Sequence, residues 1–521
     1  VYTIQTDGGR TGSLITDLLL RDLPILQYTE LQRQDTTLGR WHDFELYGND
    51  TWKVRPNLTL TLGMRYSYFP AAYADDDRIS NWIPERFDGV NLNSGYVRAD
   101  QAEQAGLSRA LVNPYKWGLQ PRVGLAWDIT GDGRTALRMG FGRYISRSNV
   151  IASLLRMALN PPWTTQVDTG WNSAAVSLAD CPTCRTLDNA NATVLGTRAQ
   201  NVGAVNSVDP NFRPPESWQW NLTVSREIMK NTVAEVSYVG NHGLHIWRLI
   251  NGGYNAVLPQ FRAQVAAGAD ANNFRRFGFP NAITRDESTG DSNYHGLQVW
   301  IDRRFSNRLA FQTAYTFSRT ISNVPTQSYI SATTDVFNYD LDKGYADLDR
   351  RHSLVFNAVY ALPAFRNWGS LASAILGDWQ LNGIASFYSG TPLNIITGVD
   401  RAGLGGATTQ RPDLVPGVPI YLDNPGDPAL LINRAAFALP APGTFGNLER
   451  GEIRAPGIKN IDFSAAKNWR MKERFNLQFR AEMFNVFNHA NFTGLVNQAG
   501  NANLSFQNNR TESNFGQPTN G

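Results

Sequence analysis

The most regular feature of this sequence is an alternation of apolar and polar residues that recurs along most of the chain. From Leu58 to Tyr68 apolar side chains occupy every even position, and the odd positions between them are small or polar. Residues 217–225 and 475–483 repeat the pattern. A helix would scatter these apolar residues around its circumference, whereas a strand places them on one face. The alternation therefore predicts β-strands with one apolar and one polar face.

By this criterion the sequence contains about twelve strands, each near or above the ~9–11 residues that a tilted membrane-crossing strand needs. We predict them at residues 41–54, 57–69, 119–130, 134–146, 217–229, 232–247, 293–305, 308–321, 350–361, 377–389, 459–470 and 473–488.

The connections between these strands alternate in length. Within pairs most are tight and contain Gly, Asn, Asp or Pro, which favour turns. The link at 362–376 is longer, and the connections between pairs are very long, at residues 70–118, 147–216, 248–292, 322–349 and 390–458. Structureless loops beyond ~15 residues are uncommon in compact domains. Membrane barrels, in contrast, have short periplasmic turns and long extracellular loops. We therefore predict an all-β fold, an antiparallel up-and-down transmembrane β-barrel of which this chain supplies about 12–14 strands.

Aromatic residues near the strand ends agree with a barrel, because girdles of aromatics flank the lipid-facing band. The candidates are Trp52, Tyr66, Tyr68, Trp127, Trp218, Trp379 and Trp469. The simpler interpretation is that aromatics favour strands in general.

Composition agrees with the barrel and excludes other classes. Charged residues are 18% and aromatics 11%, and the mean hydropathy of −0.34 resembles that of a soluble protein. A barrel strand presents only every second residue to lipid, so that value is expected for one. The net charge of +3 gives no electrostatic reason to expect a nucleic-acid partner. The sequence contains no phosphate-binding glycine loop and no Gly-x-Ser-x-Gly motif, so we expect no enzyme, catalytic residue or cofactor.

Three small groups of residues could carry chemistry in the long loops. His242 and His245 could share a metal, but no third ligand is obvious, so we expect no metal site. The carboxylates at 75–77 could hold Ca²⁺, although a solvated charge cluster is the simpler interpretation. Cys181 and Cys184 have neither the second pair of a zinc site nor the βαβ context of a redox motif. For them we favour a small loop disulfide, because such a loop faces an oxidising environment.

A co-linear series of motifs resembles the Oar-like TonB-dependent receptors, the class with a carboxypeptidase-regulatory-like N-terminal extension. The motifs are QPRVGLAWD at 120–128 with GDGRT at 131–135, QWNL at 219–222 with EVSYVG at 235–240, NYHGLQ at 293–298 with RRFS at 303–306, DRRH at 349–352, WQLNGI at 379–384, SGTP at 389–392 and FRAEMFNVFNH at 479–489.

The resemblance implies a barrel of 22 strands that is plugged by an N-terminal domain. It also implies a TonB complex that acts through the N-terminal region. The chain opens without a signal peptide, and it lacks a last strand that ends in an aromatic residue. We therefore expect residues 1–521 to be one receptor-type barrel domain truncated at both ends, without plug or last strand. Residues 1–39 would form a lead-in segment on the extracellular side.

Charged residues on the polar strand faces are the candidate functional residues of the wall: Arg65, Arg138, Arg480 and Glu482. An Arg that faced lipid at the middle of the membrane would cost about 2–4 kcal/mol, so we assign these side chains to the lumen. The resemblance implies that they contact the plug or, less commonly, a ligand. For the DRRH motif at 349–352, a structural salt bridge or a plug contact is expected rather than substrate binding.

These features predict an outer-membrane receptor of a Gram-negative-type bacterium, with outer-membrane lipid around it. Its function would be TonB-energised uptake of a bulky extracellular ligand whose identity the loops do not indicate; siderophore, oligosaccharide and peptide all fit. The alternative is adhesion, or protein export or binding, through the large extracellular loops. A soluble all-β sugar-binding or hydrolytic protein is disfavoured by the alternation of short and long connections.

Overall fold

Twelve long strands form a single sheet in the computed structural model of the chain. The structure describes residues 2–5, 27–32, 37–147, 150–163, 165–170, 205–324, 333–406, 410–422, 432–471, 475–491, 494–495, 503–505 and 518–519. The long strands are β1 (Phe44–Arg55), β2 (Leu58–Tyr68), β3 (Leu119–Asp128), β4 (Thr135–Ile145), β5 (Glu216–Met229), β6 (Thr232–Ile250), β7 (Ile283–Ser306), β8 (Leu309–Ser322), β9 (His352–Ala361), β10 (Trp379–Tyr388), β11 (Ile458–Met471) and β12 (Phe475–Met483).

Each strand pairs antiparallel with the next strand along the chain, from β1 at one edge to β12 at the other. This up-and-down order and the number of strands confirm the prediction. Among the described residues the two edge strands do not pair with each other. The described part of the chain is therefore a wall with two open edges.

The short connections all lie at one end of the wall, and their geometry follows from their sequence. Between β7 and β8, Asn307 and Arg308 both have positive φ, as a two-residue hairpin turn of the primed type requires. Between β3 and β4, the carboxylate of Asp128 accepts hydrogen bonds from the backbone N–H groups of Gly131 at 3.0 Å and Gly133 at 2.8 Å. Both glycines have a positive φ, a backbone conformation that residues with a side chain rarely adopt.

The two faces of the wall differ in chemistry as predicted. Residues that lie opposite each other in the strand registers share a face of the sheet. The pairings therefore define one face that carries mostly apolar side chains, here called the apolar face, and one that carries mostly small and polar side chains, here called the polar face. Large side chains on the apolar face are exposed, for example Leu62 at 51% and Met139 at 46%. The predicted girdle aromatics all lie on this face: Trp52, Tyr66, Tyr68, Trp127, Trp218, Trp379 and Trp469.

The long connections, which were predicted only as long extracellular loops, are folded in their described parts. Their described parts, with the adjoining ends of β6 and β7, are called the cap. Apolar residues from different connections pack together there: Met157 joins Ile79 and Val208 in one cluster, and Trp82 joins Ile283 in another. A third cluster lies within the connection between β10 and β11. Since these contacts are distant in sequence, local periodicity does not reveal them.

Short elements make up the rest of the cap and the connections. The helices are α1 (Val150–Ala158), α2 (Arg262–Ala266) and α3 (Ser370–Leu376). The 3₁₀ segments are Pro84–Arg86, Leu92–Gly95, Ala99–Gln101, Pro259–Phe261, Ala271–Phe274, Tyr339–Asp342, Arg366–Trp368 and Arg434–Ala436. The short strands are Tyr2–Gln5, Gln27–Gln32, Gly39–Arg40, Tyr73–Ala74, Ser80–Trp82, Tyr96–Arg98, Thr165–Gly170, Val205–Val208, Gly344–Tyr345, Pro392–Ile396, Asp413–Leu414, Phe437–Ala438, Ile453–Arg454, Gly494–Leu495, Asn503–Ser505 and Pro518–Thr519. In the described part of the chain, every helix is too short or too polar to cross a membrane.

Two strand boundaries differ from those predicted by five residues or more, and the others agree to within three residues. β7 begins ten residues before the predicted start at 293 and has 24 residues, roughly 80 Å at ~3.3 Å per residue. Its first residues, Ile283–Asp286, pair in parallel with Val205–Val208, and Arg285 and Asp286 also pair with the end of β6. β12 ends at Met483, before the predicted 488, because the chain turns at Asn485, which has a positive φ. The side-chain amide of Asn485 donates to the carbonyl of His489 and accepts from its backbone N–H.

The packing of α1 gives a test of the cap. Met157 is 1% exposed within the cap core, whereas Leu155 on the same helix is 40% exposed. Because truncation of a buried methionine costs about 2–5 kcal/mol, we expect Met157→Ala to make the cap much more susceptible to limited proteolysis. Leu155→Ala is the matched control and should cleave like the unmodified chain. Equal cleavage of the two variants would contradict a packed cap.

Candidate functional site

The predicted functional residues of the wall all lie on the polar face but in three separate places. Arg65 on β2 donates from Nε to Glu45 on β1 at 3.1 Å. Arg138 on β4 lies 3.6 Å from the carboxylate of Glu235 on β6, spanning the strand between them. Arg480 lies 3.5 Å from Glu482 on β12, at the opposite edge of the sheet. They therefore do not form one site.

These pairs differ in how much of the arginine remains available. Arg65 belongs to a chain of hydrogen bonds in which Ser67 Oγ donates to Glu45 and Gln120 donates to Ser67, both at 2.7 Å. That network has a structural role between β1 and β3. Arg138 and Arg480 are 59% and 57% exposed, and such exposed pairs contribute only about 0–1 kcal/mol to stability. Their guanidinium groups are therefore accessible from the polar side of the wall.

A hollow of about 450 Å³ lies on the polar face of β1 to β7. Its size is within the ~300–1,000 Å³ range of small-molecule sites. Its floor includes Gly124 and Gly140, which are cross-strand partners on β3 and β4. The polar side chains that line it are mainly amides and tyrosines, with one arginine: Asn49, Thr61, Arg122, Tyr144, Gln219, Asn221, Asn241 and Tyr294.

Glycines give this hollow its shape, because neighbouring side chains lie flat across them. A Cβ atom at Gly142 would come within 3.0 Å of the Tyr144 ring, and one at Gly296 within 2.5 Å of the Tyr294 hydroxyl. The guanidinium of Arg122 lies 4.8 Å from the centre of the Tyr144 ring, in a cation–π contact. None of the residues that line this hollow is among the functional residues predicted from the sequence. Glycines inside strands mark close approach of other groups, and that signal could have found it.

Buried ion pairs hold the cap together. Arg248 at the end of β6 is fully buried, with Nη1 3.4 Å from Asp342 and Nη2 donating to the carbonyl of Asn323 at 2.9 Å. Arg450 donates to the carbonyl of Asp342 at 3.0 Å and to the carboxylate of Asp347 at 3.1 Å. Burial lowers the pKa of Arg248 and raises the pKa of Asp342. Because removal of one partner leaves a buried charge, this network fixes three chain segments relative to one another.

One of the two roles expected for the motif at 349–352, a structural salt bridge, is observed at Asp349. The carboxylate of Asp349 is fully buried and pairs with Arg454 at 2.5 Å, and it also accepts from the backbone N–H of Thr320. Through these two contacts Asp349 links the end of β8, at Thr320, to the connection between β10 and β11, at Arg454.

The candidate loop sites have other partners in the structure. His242 Nε2 lies 2.7 Å from a carboxylate oxygen of Asp291. The carboxylates of 75–77 face arginines, with Asp75 2.8 Å from Arg40 and Asp77 2.5 Å from Arg109. In the part of the chain that the structure describes, no three His, Cys, Asp or Glu side chains cluster as a metal site would require. Cys181 and Cys184 lie outside the described residues, so their disulfide stays a prediction.

Asp286 is a buried titratable group of the cap, and the pKa of its carboxyl has a clear consequence for the stability of the cap. It lies at the start of β7, seven residues before the segment predicted to enter the membrane, and its side chain is fully buried. Burial raises the pKa of its carboxyl to about 6, although Arg156 of α1 lies 3.5 Å away and opposes the shift. The folded cap therefore holds a proton that the unfolded chain releases near pH 4.

This shift predicts how the stability of the cap depends on pH. Because the folded-state pKa exceeds the unfolded value, the stability that Asp286 contributes is fully present below pH ~4 and is lost as pH rises to about 6, by on the order of 3 kcal/mol. Amide hydrogen exchange of α1 should accordingly slow as pH is lowered from 7 to 5, after correction for intrinsic rates.

Asp286→Asn should weaken this pH dependence, and the part that Asp342 contributes in the same direction should remain. The matched control is Asp340→Asn, at an exposed carboxylate of the cap. If Asp286→Asn keeps the full pH dependence, the assignment is wrong.

Comparison with known proteins assigns the wall to a family. Among solved structures, the chain is similar to the outer membrane transporter YddB from Escherichia coli, with a TM-score of 0.44 and 12% identity over 88% of this chain and 43% of that one. The FrpB iron transporter from Neisseria meningitidis gives a TM-score of 0.38 and 12% identity over 94% of this chain and 44% of the other. The chain thus spans less than half the length of these structures.

No curated protein sequence matches the chain. The family of outer membrane beta barrel domains, however, matches residues 3–521. The sheet of antiparallel strands agrees with this match. The protein is located in the outer membrane, and it belongs to the outer membrane beta barrel domain family.

Proposed function

We propose that this chain forms wall and extracellular loops of a TonB-dependent receptor of the Oar-like class, which imports a bulky ligand across the outer membrane. The observation that carries the proposal is the polar hollow on the wall, placed directly beneath a folded cap. A passive structural barrel has no need for a shaped polar recess at this level. A transporter needs both a capture surface outside and a polar route along its wall.

The cap supplies the capture surface in this proposal. Its buried ion pairs and apolar clusters fix the long connections before a ligand arrives, which lowers the entropic cost of binding. Amides and tyrosines in the hollow below offer hydrogen-bond donors and acceptors, and Arg122 is the charged residue of its lining. This lining favours a neutral or anionic polar ligand.

The exposed arginines of the wall complete the proposed route. Arg138 and Arg480 contribute little to stability and face the polar side, so they are available to the plug or to the ligand. Glu482 would hold Arg480 in position, and Arg65 would contribute at its own separate place on the wall, as the partner of Glu45. TonB itself would act through the N-terminal plug region of the receptor, which the resemblance to Oar-like receptors implies.

Blocking the hollow tests this route. A Cβ at Gly124 would lie 3.5 Å from Thr61, so Gly124→Leu fits the strand and fills the recess. In cells that carry the full receptor, we expect this variant to reduce uptake by roughly tenfold or more, equivalent to about 1.4 kcal/mol. The probes are fluorescent oligosaccharides, ferric siderophores and peptides, compared with and without TonB.

The matched control is Gly383→Leu, since Gly383 lies on the apolar face and a Cβ atom there would have no other atom within 4 Å among the described residues. It should transport normally. If the uptake of every probe is the same with and without TonB, the importer proposal is refuted. Retained binding to cells or proteins would then favour adhesion through the cap. Normal uptake by Gly124→Leu would remove the hollow from the route.

A further inference from the structure

The short helix α3 is attached to the outside of the wall, at the end where the short connections lie. It is part of the link between β9 and β10. The indole of Trp379 donates to the carbonyl of Ile375 at 2.8 Å, and the indole of Trp469 donates to the carbonyl of Ala374 at 3.1 Å. Both tryptophans belong to the apolar face. They hold the helix against the surface that faces lipid.

The surface that α3 presents outward is apolar. Trp368, Leu371, Ile375 and Leu376 are 65%, 73%, 54% and 47% exposed. Leu371, Ile375 and Leu376 are spaced as one stripe of α3, and Trp368 lies in the 3₁₀ segment just before the helix. Because two girdle tryptophans anchor the helix beside this stripe, it continues the lipid-facing surface of the wall at the level of the membrane interface.

A buried cation lies beneath the helix. Lys467 on β11 pairs with Trp379 in the register, so it shares the apolar face, and it is only 3% exposed. Its ammonium donates to the carbonyl of Gly377 and lies 5.4 Å from the Trp469 ring. A lysine on a lipid-facing surface is costly, and this one is covered by α3 and neutralised by no carboxylate in hydrogen-bond range among the described residues.

A cavity of about 540 Å³ opens between α3 and β11. Its charged lining consists of Arg366, Lys467 and Asp378, which leaves one net positive charge, and Ser370 adds a hydroxyl. The cavity therefore combines cations and a hydroxyl donor with an apolar stripe at its rim. Arginine and lysine beside hydroxyl donors are the groups that bind phosphate.

We propose that this ledge, formed by residues 366–378 and Lys467, binds an anionic phospholipid of the periplasmic leaflet. The headgroup phosphate would lie in the cavity near Arg366 and Lys467, and the acyl chains would follow the apolar stripe of α3. The occupant is a lipid because the stripe is continuous with the lipid-facing wall of an outer-membrane protein. This site is independent of any transported ligand.

The test is lipid retention by the full chain. The protein is reconstituted in bilayers of mixed phosphatidylcholine and phosphatidylglycerol, extracted with mild detergent and analysed by native mass spectrometry. We expect a roughly tenfold preference for one retained phosphatidylglycerol, which Arg366→Gln should reduce severalfold. The matched control is Arg134→Gln, at an arginine 69% exposed in another short turn, and it should retain the preference.

A second pair of variants separates the lipid from its phosphate. Leu371→Asn with Ile375→Asn keeps the charges and removes the stripe, and it should lose the retained lipid, while Val90→Asn, in the cap, should keep it. Glycerol 3-phosphate at millimolar concentration should not displace the lipid. Retention without preference for phosphatidylglycerol, equal retention by Arg366→Gln and Arg134→Gln, or displacement by glycerol 3-phosphate would overturn the proposal.

Discussion

Backbone hydrogen bonding in lipid is the constraint on which the rest of this structure depends. No water is present there to pair with exposed N–H and C=O groups, so a strand can cross only if both neighbours pair with it. The consecutive antiparallel order from β1 to β12 satisfies this requirement for each strand from β2 to β11. It also forces successive side chains to opposite faces, so one chain must supply both a lipid-facing and a polar surface. Among the described residues, β1 and β12 each pair with a neighbouring strand on one side only.

The same constraint shapes the polar face. Because the strand backbone is fixed by its ladders, a recess can form only where side chains are small or lie flat. Gly124 and Gly140 supply the small positions, and Tyr144 and Tyr294 lie flat over neighbouring glycines. The hollow thus forms where glycines replace larger residues in a rigid sheet. A site built in this way on strands is held more firmly than one built on loops.

The parts of the fold that could be predicted are those that depend on local pattern. Alternation located β1 to β12, and turn residues such as Gly131 and Asn307 fixed the short end of the wall. The cap could not be predicted, because Met157, Ile79 and Val208 meet only in three dimensions. The extension of β7 was missed since its first residues are largely polar and follow no alternation. The polar-face position of Arg65 followed from periodicity, whereas its partner Glu45 depended on the strand register.

Charge connects the cap to the wall. β6 and β7 cross from one to the other without interruption, and Arg248 near the end of β6 is paired inside the cap with Asp342. A buried pair of this kind adds little stability over apolar packing, but it tolerates few alternative arrangements, since any shift leaves a charge unpaired. Arg248 and Asp342 therefore hold the connection between β8 and β9 in place relative to β6, the strand whose Asn241 lines the hollow. In the importer proposed above, a ligand that displaced this connection would leave the buried charge of Arg248 without its partner Asp342.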